Sequence, residues 1–179
     1  MRIGRVINKL FGGKFKPSDI EVFVNEYKSE HDMMTGNIDI ELVEGDDITY
    51  WYDYKKYAPG GTLGKSCMRD VGSRRLQMYS DNPEVIKLAI YKRHDKLEAR
   101  ALVWVTDKGM FMDRRYYTKD HLDNAFQSYA KKKGWMYKGQ NGLNKLTVKL
   151  KHNKSLYGNT RPYLDTFTYN RNGTLTAYG

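Results

Sequence analysis

The stretch VIKLAIYKRHDKLEARALVWVTDKGMFMDRRYY, residues 85–117, decides the fold of this 179-residue chain. Three runs rich in β-branched and aromatic residues alternate with two short polar turns, at residues 93–96 and 107–109. Such runs favour strands, and turns this short join neighbouring strands in antiparallel order. We therefore predict a meander of three antiparallel strands at residues 85–91, 99–105 and 110–117.

The segments that follow the meander predict one helix and further strands. Residues 119–133 place Leu122, Phe126 and Ala130 on one face and are followed by Gly134, a residue type that often ends helices. Residues 135–137 predict a return strand, and residues 163–178 predict a hairpin that turns at an Asn-Gly pair. In residues 145–151, strict alternation predicts a solvated strand face that carries Lys145, Thr147, Lys149 and Lys151.

The segments before the meander predict two helices and a strand. A Ser-Asp-Ile-Glu capping pattern predicts a helix over residues 18–30, and alternation predicts a strand over residues 37–43. Residues 73–81 predict a short helix, whereas residues 45–52 are compatible with either a helix or a strand. Residues 1–11 predict a short basic amphipathic helix that is compatible with docking on a membrane surface, on a partner or on the protein's own core, and we favour the last.

These elements predict an α+β fold: a central, mostly antiparallel sheet with amphipathic helices packed on it and a C-terminal β-hairpin. We divide the chain into a basic amphipathic N-terminal segment, residues 1–16, and one α+β domain, residues 17–179. The single cysteine, Cys67, excludes an intramolecular disulfide, and we expect it to be buried and inert. No apolar run reaches the ~18 residues of a membrane span. The sequence therefore predicts no integral membrane association and a cytoplasmic location.

The formal net charge of +10 is unevenly distributed along the chain. Residues 17–60 hold eleven acidic and three basic residues, whereas no acidic residue lies between Asp123 and Asp165. Lysines and aromatic residues are interspersed in that second segment, which is a composition typical of nucleic-acid-binding surfaces. The predicted nucleic-acid-binding residues are Lys131, Lys132, Lys133, Trp135, Lys138, Lys145, Lys149, Lys151, Lys154 and Arg161, with Tyr137, Tyr157 and Tyr163 as further stacking residues.

The stretch PGGTLGKSC, residues 59–67, resembles a phosphate-binding loop but departs from its pattern. A Walker A loop requires a glycine where this chain has Pro59, and it follows a buried apolar strand that is missing here. We interpret the stretch as a glycine-rich turn. The candidate anion ligands in and near it are Lys65, Ser66, Arg69, Arg114 and Arg115.

Other chemistry is not indicated by the sequence. The four histidines and the single cysteine show no zinc or haem spacing, so we predict no metal and no cofactor. We interpret Asp113, which lies next to Arg114 and Arg115, as a member of a structural ion pair that keeps its carboxylate charged. No catalytic residue is predicted, and the absence of enzyme motifs favours a non-catalytic protein.

The order strand–strand–strand–helix–strand over residues 85–137 resembles the central part of CoA-dependent N-acetyltransferases. In that family a glycine motif, R-x-x-G-x-G/A, lets a helix N-terminus receive the pyrophosphate, whereas the corresponding residues 114–121 contain no glycine here.

Four blocks resemble an uncharacterised family of bacteriophage-encoded proteins. They are GTLGKSCMR (61–69), ARALVW (99–104), FMDRRY (111–116) and PYLDTF (162–167). This resemblance implies a phage protein that acts in a bacterial host cell.

Three functions remain open at this point. The first is a phage-encoded, non-catalytic protein that binds DNA or RNA through its lysine-rich strand face and its aromatic residues. The second is a phage protein that binds and inhibits a host protein, such as a defence or transcription factor, because its acidic and basic segments suit a charged partner. The third is an acetyltransferase-like or nucleotide-binding enzyme, although this chain lacks the glycine loops expected of such enzymes. The oligomeric state is left undetermined.

Overall fold

A computed structural model of the protein describes residues 3–34, 38–153 and 161–178. The helices in these ranges are α1 (Ile3–Phe11), α2 (Pro17–Met34), α3 (Asp46–Tyr52), α4 (Ser73–Ser80) and α5 (His121–Lys132). The strands are β1 (Glu41–Val43), β2 (Ile86–Arg93), β3 (Lys96–Thr106), β4 (Gly109–Tyr117), β5 (Met136–Tyr137), β6 (Leu146–Lys149), β7 (Thr168–Tyr169) and β8 (Thr174–Ala177). The predicted α+β class is confirmed.

The central sheet contains five strands in the order β1-β2-β3-β4-β5. Its first three pairings are antiparallel, and the register places Leu88 opposite Leu102 and Trp104 opposite Phe111. The β4–β5 pairing is parallel because helix α5 carries the chain back to the end of the sheet where β4 begins. The predicted meander is thus confirmed, and the predicted return strand, β5, is the edge strand next to β4.

The two faces of the sheet bury two different cores. One face packs against α5 through small and aliphatic side chains such as Ala101, Val103 and Met112, which contact Leu122 and Phe126 of the helix. The other face carries the larger side chains of β3 and β4, which pack with α3, α4 and a second sheet. Alternate strand residues therefore point to two differently built interiors.

The second sheet has three strands in the order β6-β8-β7, all antiparallel. Leu146, Val148 and Leu150 are buried as the alternation predicted, while Lys145 and Lys149 are exposed. The β7–β8 pair is the predicted C-terminal hairpin, and its turn at Asn172 and Gly173 uses a positive φ at the glycine. This sheet covers the face of the central sheet opposite α5.

The N-terminal region differs from the prediction in detail. Helix α1 has no buried residue and lies against α2, with Gly4 next to Ile20 and Val24. We expected it to dock on the protein's own core, whereas its contact is with α2. Helix α2 begins at Pro17 rather than residue 18, because proline is well accommodated in the first helical turn. Residues 46–52 are helical, which resolves the open alternative. Among the described residues, no helix is long and apolar enough to cross a membrane.

Candidate functional sites

Three of the predicted lysines lie at the C-terminal end of α5. Lys131, Lys132 and Lys133 are exposed there, next to the helix carbonyls that carry partial negative charge. The chain then enters β5, whose Met136 pairs with Phe111 near the start of β4. This lysine cluster therefore lies at the end of the central sheet where β3 turns into β4.

A second group of lysines lies at the same end of the sheet but over its other face. Thr147 of β6 is hydrogen bonded to Asp107 in the β3–β4 turn, with distances of 2.9 Å and 2.8 Å. Its neighbours Lys145 and Lys149 are exposed, and the turn contributes a further exposed lysine, Lys108, that the sequence interpretation missed. The two groups thus flank one turn on opposite faces of the sheet.

We define the lysine end as the six exposed lysines that surround the β3–β4 turn. They are Lys108, Lys131, Lys132, Lys133, Lys145 and Lys149. Within residues 3–34, 38–153 and 161–178, no carboxylate forms an ion pair with any of the six. At the β1 edge, by contrast, Lys87 pairs with Glu44 and Lys92 with Glu41. The positive charge of the lysine end is therefore not neutralised by neighbouring carboxylates.

Other predicted members of the nucleic-acid surface lie elsewhere or have structural contacts. Trp135 is half-buried against Tyr129 in the core beneath α5, so it cannot serve as an open stacking surface. The Lys138 ammonium donates to the Asp165 carbonyl at 3.0 Å, and Lys151 pairs with Glu84 at 3.5 Å.

Three further members of that set complete the comparison with the prediction. Arg161 is exposed with its guanidinium 5.4 Å from the centre of the Tyr169 ring. Lys154 and Tyr157 lie outside the described residues. The structure therefore groups only part of the predicted surface.

The glycine-rich turn at residues 59–65 packs against the end of β4. Gly61 has a φ of 60°, and a Cβ at this position would overlap the carbonyl oxygen of Tyr117. The next residue, Thr62, donates its amide to that same oxygen at 2.8 Å. The turn thus lies directly on the β4–α5 junction, the place at which the N-acetyltransferase resemblance would put a pyrophosphate.

The candidate anion ligands do not form one cluster. Lys65 is exposed at the end of the turn, and Arg69 donates to the carbonyl of Gly64. Ser66 is buried, and its hydroxyl accepts from Arg100 at 2.9 Å. Two further candidates, Arg114 and Arg115, point to opposite faces of β4. Arg114 reaches Asp165 at 3.4 Å, whereas Arg115 donates to Asp123 on α5 at 2.6 Å.

Two expectations about individual side chains are wrong. Among the described residues, Asp113 forms no ion pair with an arginine side chain; its carboxylate is buried and accepts from the Trp104 indole at 3.1 Å, the Arg114 amide at 2.7 Å and the Thr166 hydroxyl. Burial raises the pKa of Asp113, against the lowering effect of those hydrogen bonds. Cys67 is exposed rather than buried, because Ser66 and Met68 on either side of it take the inward positions.

Arg100 is the main feature that the sequence interpretation missed. It lies on β3 with only 2% of its surface exposed, on the same face as Leu102 and Trp104. Its guanidinium carbon is 4.0 Å from the centre of the Tyr52 ring and 4.8 Å from that of Tyr116. Since strand residues alternate between faces, the position of Arg100 two residues before Leu102 was a usable signal for an arginine that points into the core.

A small polar cavity lies beside Arg100, with a volume of about 10 Å³. Its walls include Ser66, Asp113 and Tyr116, and its rim includes Arg114 and Asp165. The Tyr116 hydroxyl donates to the Asp165 carboxylate at 2.8 Å. Burial, followed by this hydrogen bond, raises the pKa of Tyr116 above its ordinary value, so the phenol stays protonated at neutral pH.

Comparisons with known proteins give no assignment for either site. No protein-family model, no curated protein and no solved structure matches the chain. In the described ranges, no group of three or more histidine, cysteine, aspartate or glutamate side chains is arranged to hold a metal ion. The resemblance to bacteriophage proteins stays a prediction. Function must therefore be argued from the lysine end and the Arg100 cavity themselves.

Proposed function

We propose that this protein binds nucleic acid through the lysine end, as a phage-encoded, non-catalytic protein. The observation that carries the proposal is the exposure of six lysines around one turn without a carboxylate partner among the described residues. An unpaired, hydrated ammonium group can neutralise a phosphate and release its condensed counterion. A paired lysine, such as Lys92 beside Glu41, would first have to give up its partner.

The contacts available at the lysine end are of the kind that position a nucleic acid without reading its sequence. Lysine contacts a phosphate as a point charge and does not provide the bidentate fork that arginine offers to a guanine edge. Among the described residues, Tyr178 is the one largely exposed aromatic ring next to these lysines, and the Lys145 ammonium lies 5.5 Å from its centre. We therefore expect binding that depends strongly on salt and weakly on sequence.

Fluorescence anisotropy with labelled single- and double-stranded DNA and RNA tests this proposal. Purified protein should bind at about 50 mM salt and lose affinity steeply towards about 200 mM, with a slope near −0.9 per phosphate contact on duplex and −0.7 on single strands. Scrambled sequences of equal length should bind equally well. Absence of binding at the lower salt, or binding whose affinity does not change with salt, would contradict the proposal.

A second candidate function is the binding of a host protein, and the N-terminal helices favour it. Phe11, Phe15 and Phe23 are each about half exposed and line an apolar groove between the helical segments. Apolar groups gathered in this way on a surface are typical of docking sites.

The groove can be tested with the double variant Phe11→Ser, Phe23→Ser. A bacterial protein that is retained by the wild type at high salt and released by the variant would support this function. Equal retention by both proteins would count against it. No observation favours the acetyltransferase-like alternative.

A further inference from the structure

The buried guanidinium of Arg100 forms no ion pair with a carboxylate of the described residues, although Asp113 and Asp165 line the same cavity. Arginine stays protonated in proteins, and a buried charge is costly unless it is paired or fully hydrogen bonded. One of the two NH2 groups of Arg100 donates to the Ser66 hydroxyl and the Tyr57 side chain also interacts with the guanidinium, but the Nε–H has no hydrogen-bond partner among the described residues. The faces of Tyr52 and Tyr116 attract the cation but accept no conventional hydrogen bond. The arrangement therefore lacks one hydrogen-bond acceptor at the Nε–H, and because the guanidinium is cationic, an anionic oxygen binds there more strongly than a neutral one.

The cavity beside Arg100 gives such an acceptor a defined place. Its volume of about 10 Å³ is close to what one water-sized group requires, so a single oxygen atom fits. Arg114 lies at the rim with its guanidinium carbon 5.1 Å from the centre of the same Tyr116 ring that Arg100 faces. The Arg114 side chain is 54% exposed, so it connects the buried arginine with solvent. Two guanidinium groups thus approach one cavity from inside and outside.

The charges on the cavity wall select the class of anion. Asp113 and Asp165 both line the cavity, and their carboxylates repel a doubly charged ligand more than a singly charged one. The volume of about 10 Å³ also leaves room for one oxygen atom rather than for the tetrahedral oxygens of a phosphate. A carboxylate is planar and singly charged, and its oxygens match the donors of a guanidinium group.

We propose that the Arg100 cavity binds the carboxylate group of a small monoanionic ligand. One carboxylate oxygen occupies the space next to the Arg100 Nε–H, and the remainder of the ligand extends past Arg114 towards solvent. This site lies on the face of the sheet opposite α5 and does not depend on the nucleic-acid function proposed above.

Thermal unfolding in the presence of acetate, the simplest probe of this chemistry, tests the proposal. Sodium acetate, chloride and phosphate are compared at equal ionic strength at pH 7. Acetate should raise Tm in a saturating manner, as expected for a ligand that binds only the folded state. The variant Arg100→Met should lower acetate affinity by about thirtyfold or more, the effect expected when one partner of a buried charged hydrogen bond is removed. Arg115→Gln, on the opposite face, should keep the response.

Two results would overturn the assignment. One is a rise in Tm that is the same in chloride or phosphate as in acetate. The other is an acetate response in Arg100→Met equal to that of the wild type. If Arg100→Met fails to fold, Ser66→Ala and Arg114→Gln replace it, and each should weaken the acetate response by about tenfold, since each loses one hydrogen-bonding or charged group at the cavity. Wild-type responses in both variants would likewise contradict the proposal.

Discussion

Two regions of this molecule hold positive charge in opposite ways. At the lysine end, six ammonium groups are exposed, hydrated and free of described carboxylate partners. In the Arg100 cavity, one guanidinium is almost completely buried among tyrosine rings and a serine hydroxyl. An exposed charge costs the fold little and remains available to a phosphate. A buried charge is stabilised only by the groups that surround it, so substitutions there change the free energy of unfolding. A ligand can reach this charge only through the cavity.

Removing the Arg100 side chain should have the largest effect on stability. Arg100→Ala loses a long buried stem that packs against tyrosine rings, and we expect a loss of about 3 kcal/mol in the free energy of unfolding. Arg100→Met should stay within about 1 kcal/mol of the wild type or exceed it, because it fills the space without a desolvated charge. Lys149→Ala, from the exposed region, should change stability by less than about 0.5 kcal/mol. Urea unfolding of the three variants measures the contrast.

Equal losses in Arg100→Ala and Lys149→Ala would remove the distinction between the two regions. A severe loss in Arg100→Met would show that the charge itself, rather than the packing of the stem, stabilises the fold.

The glycine turn beside the cavity should give the next largest effect. Gly61→Ala introduces a side chain at positive φ and against the Tyr117 carbonyl, so we expect a loss of about 2 kcal/mol or more. Gly64→Ala is the matched control, because a Cβ at that position meets no atom within 4 Å. Chemical denaturation compares the two variants. Similar stability for both would mean that the turn does not pack on the β4–α5 junction.

A smaller effect should appear in the pH dependence of stability. The pKa of Asp113 is raised in the folded protein by burial, so the folded state holds this proton more tightly than the unfolded state. Stability should therefore fall as pH rises from the unfolded value of about 3.8 through the folded pKa, and then level off. Asp113→Asn should lack this contribution. The wild type should lose stability relative to the variant over that window, and a constant difference in unfolding free energy from pH 4 to pH 8 would contradict the assignment.

The sequence predicts the exposed region much better than the buried one. Strict alternation over residues 145–151 sufficed to separate buried Leu146 and Val148 from exposed Lys149, because a half-buried strand repeats every two residues. The strands of the meander and helix α5 could be predicted from their periodicity for the same reason. The position of Lys108 beside the other lysines could not be predicted, since it depends on how the second sheet packs against the β3–β4 turn.

The buried site depends on contacts that are distant along the chain. Ser66 reaches Arg100 across 34 residues, and Asp165 reaches Tyr116 across 49. Neither pairing has a signature in local periodicity or spacing. Asp113 misled the interpretation because an irregularity in the β3–β4 register places Asp113 and Arg114 together opposite Leu102, where both line the Arg100 cavity, while Arg115 points to the α5 face. Adjacency in sequence therefore did not imply an ion pair. Trp135 misled it because an aromatic side chain beside lysines can equally belong to the core.

The most direct test of the central claim compares two sets of substitutions that remove the same charge from different places. One variant carries Lys132→Gln, Lys145→Gln and Lys149→Gln at the lysine end. The other carries Lys55→Gln, Lys56→Gln and Lys92→Gln near the acidic β1 edge, where Lys56 and Lys92 pair with carboxylates. The measurement is the dependence of DNA affinity on salt for both variants and the wild type.

We predict that the first variant binds more weakly and that its slope of log affinity against log salt is shallower by up to about 2.7 on duplex DNA, or 0.9 for each of three lost phosphate contacts. The second variant should keep a slope close to that of the wild type. Equal slopes for the two variants would show that net charge alone drives binding and would contradict a nucleic-acid site at the lysine end.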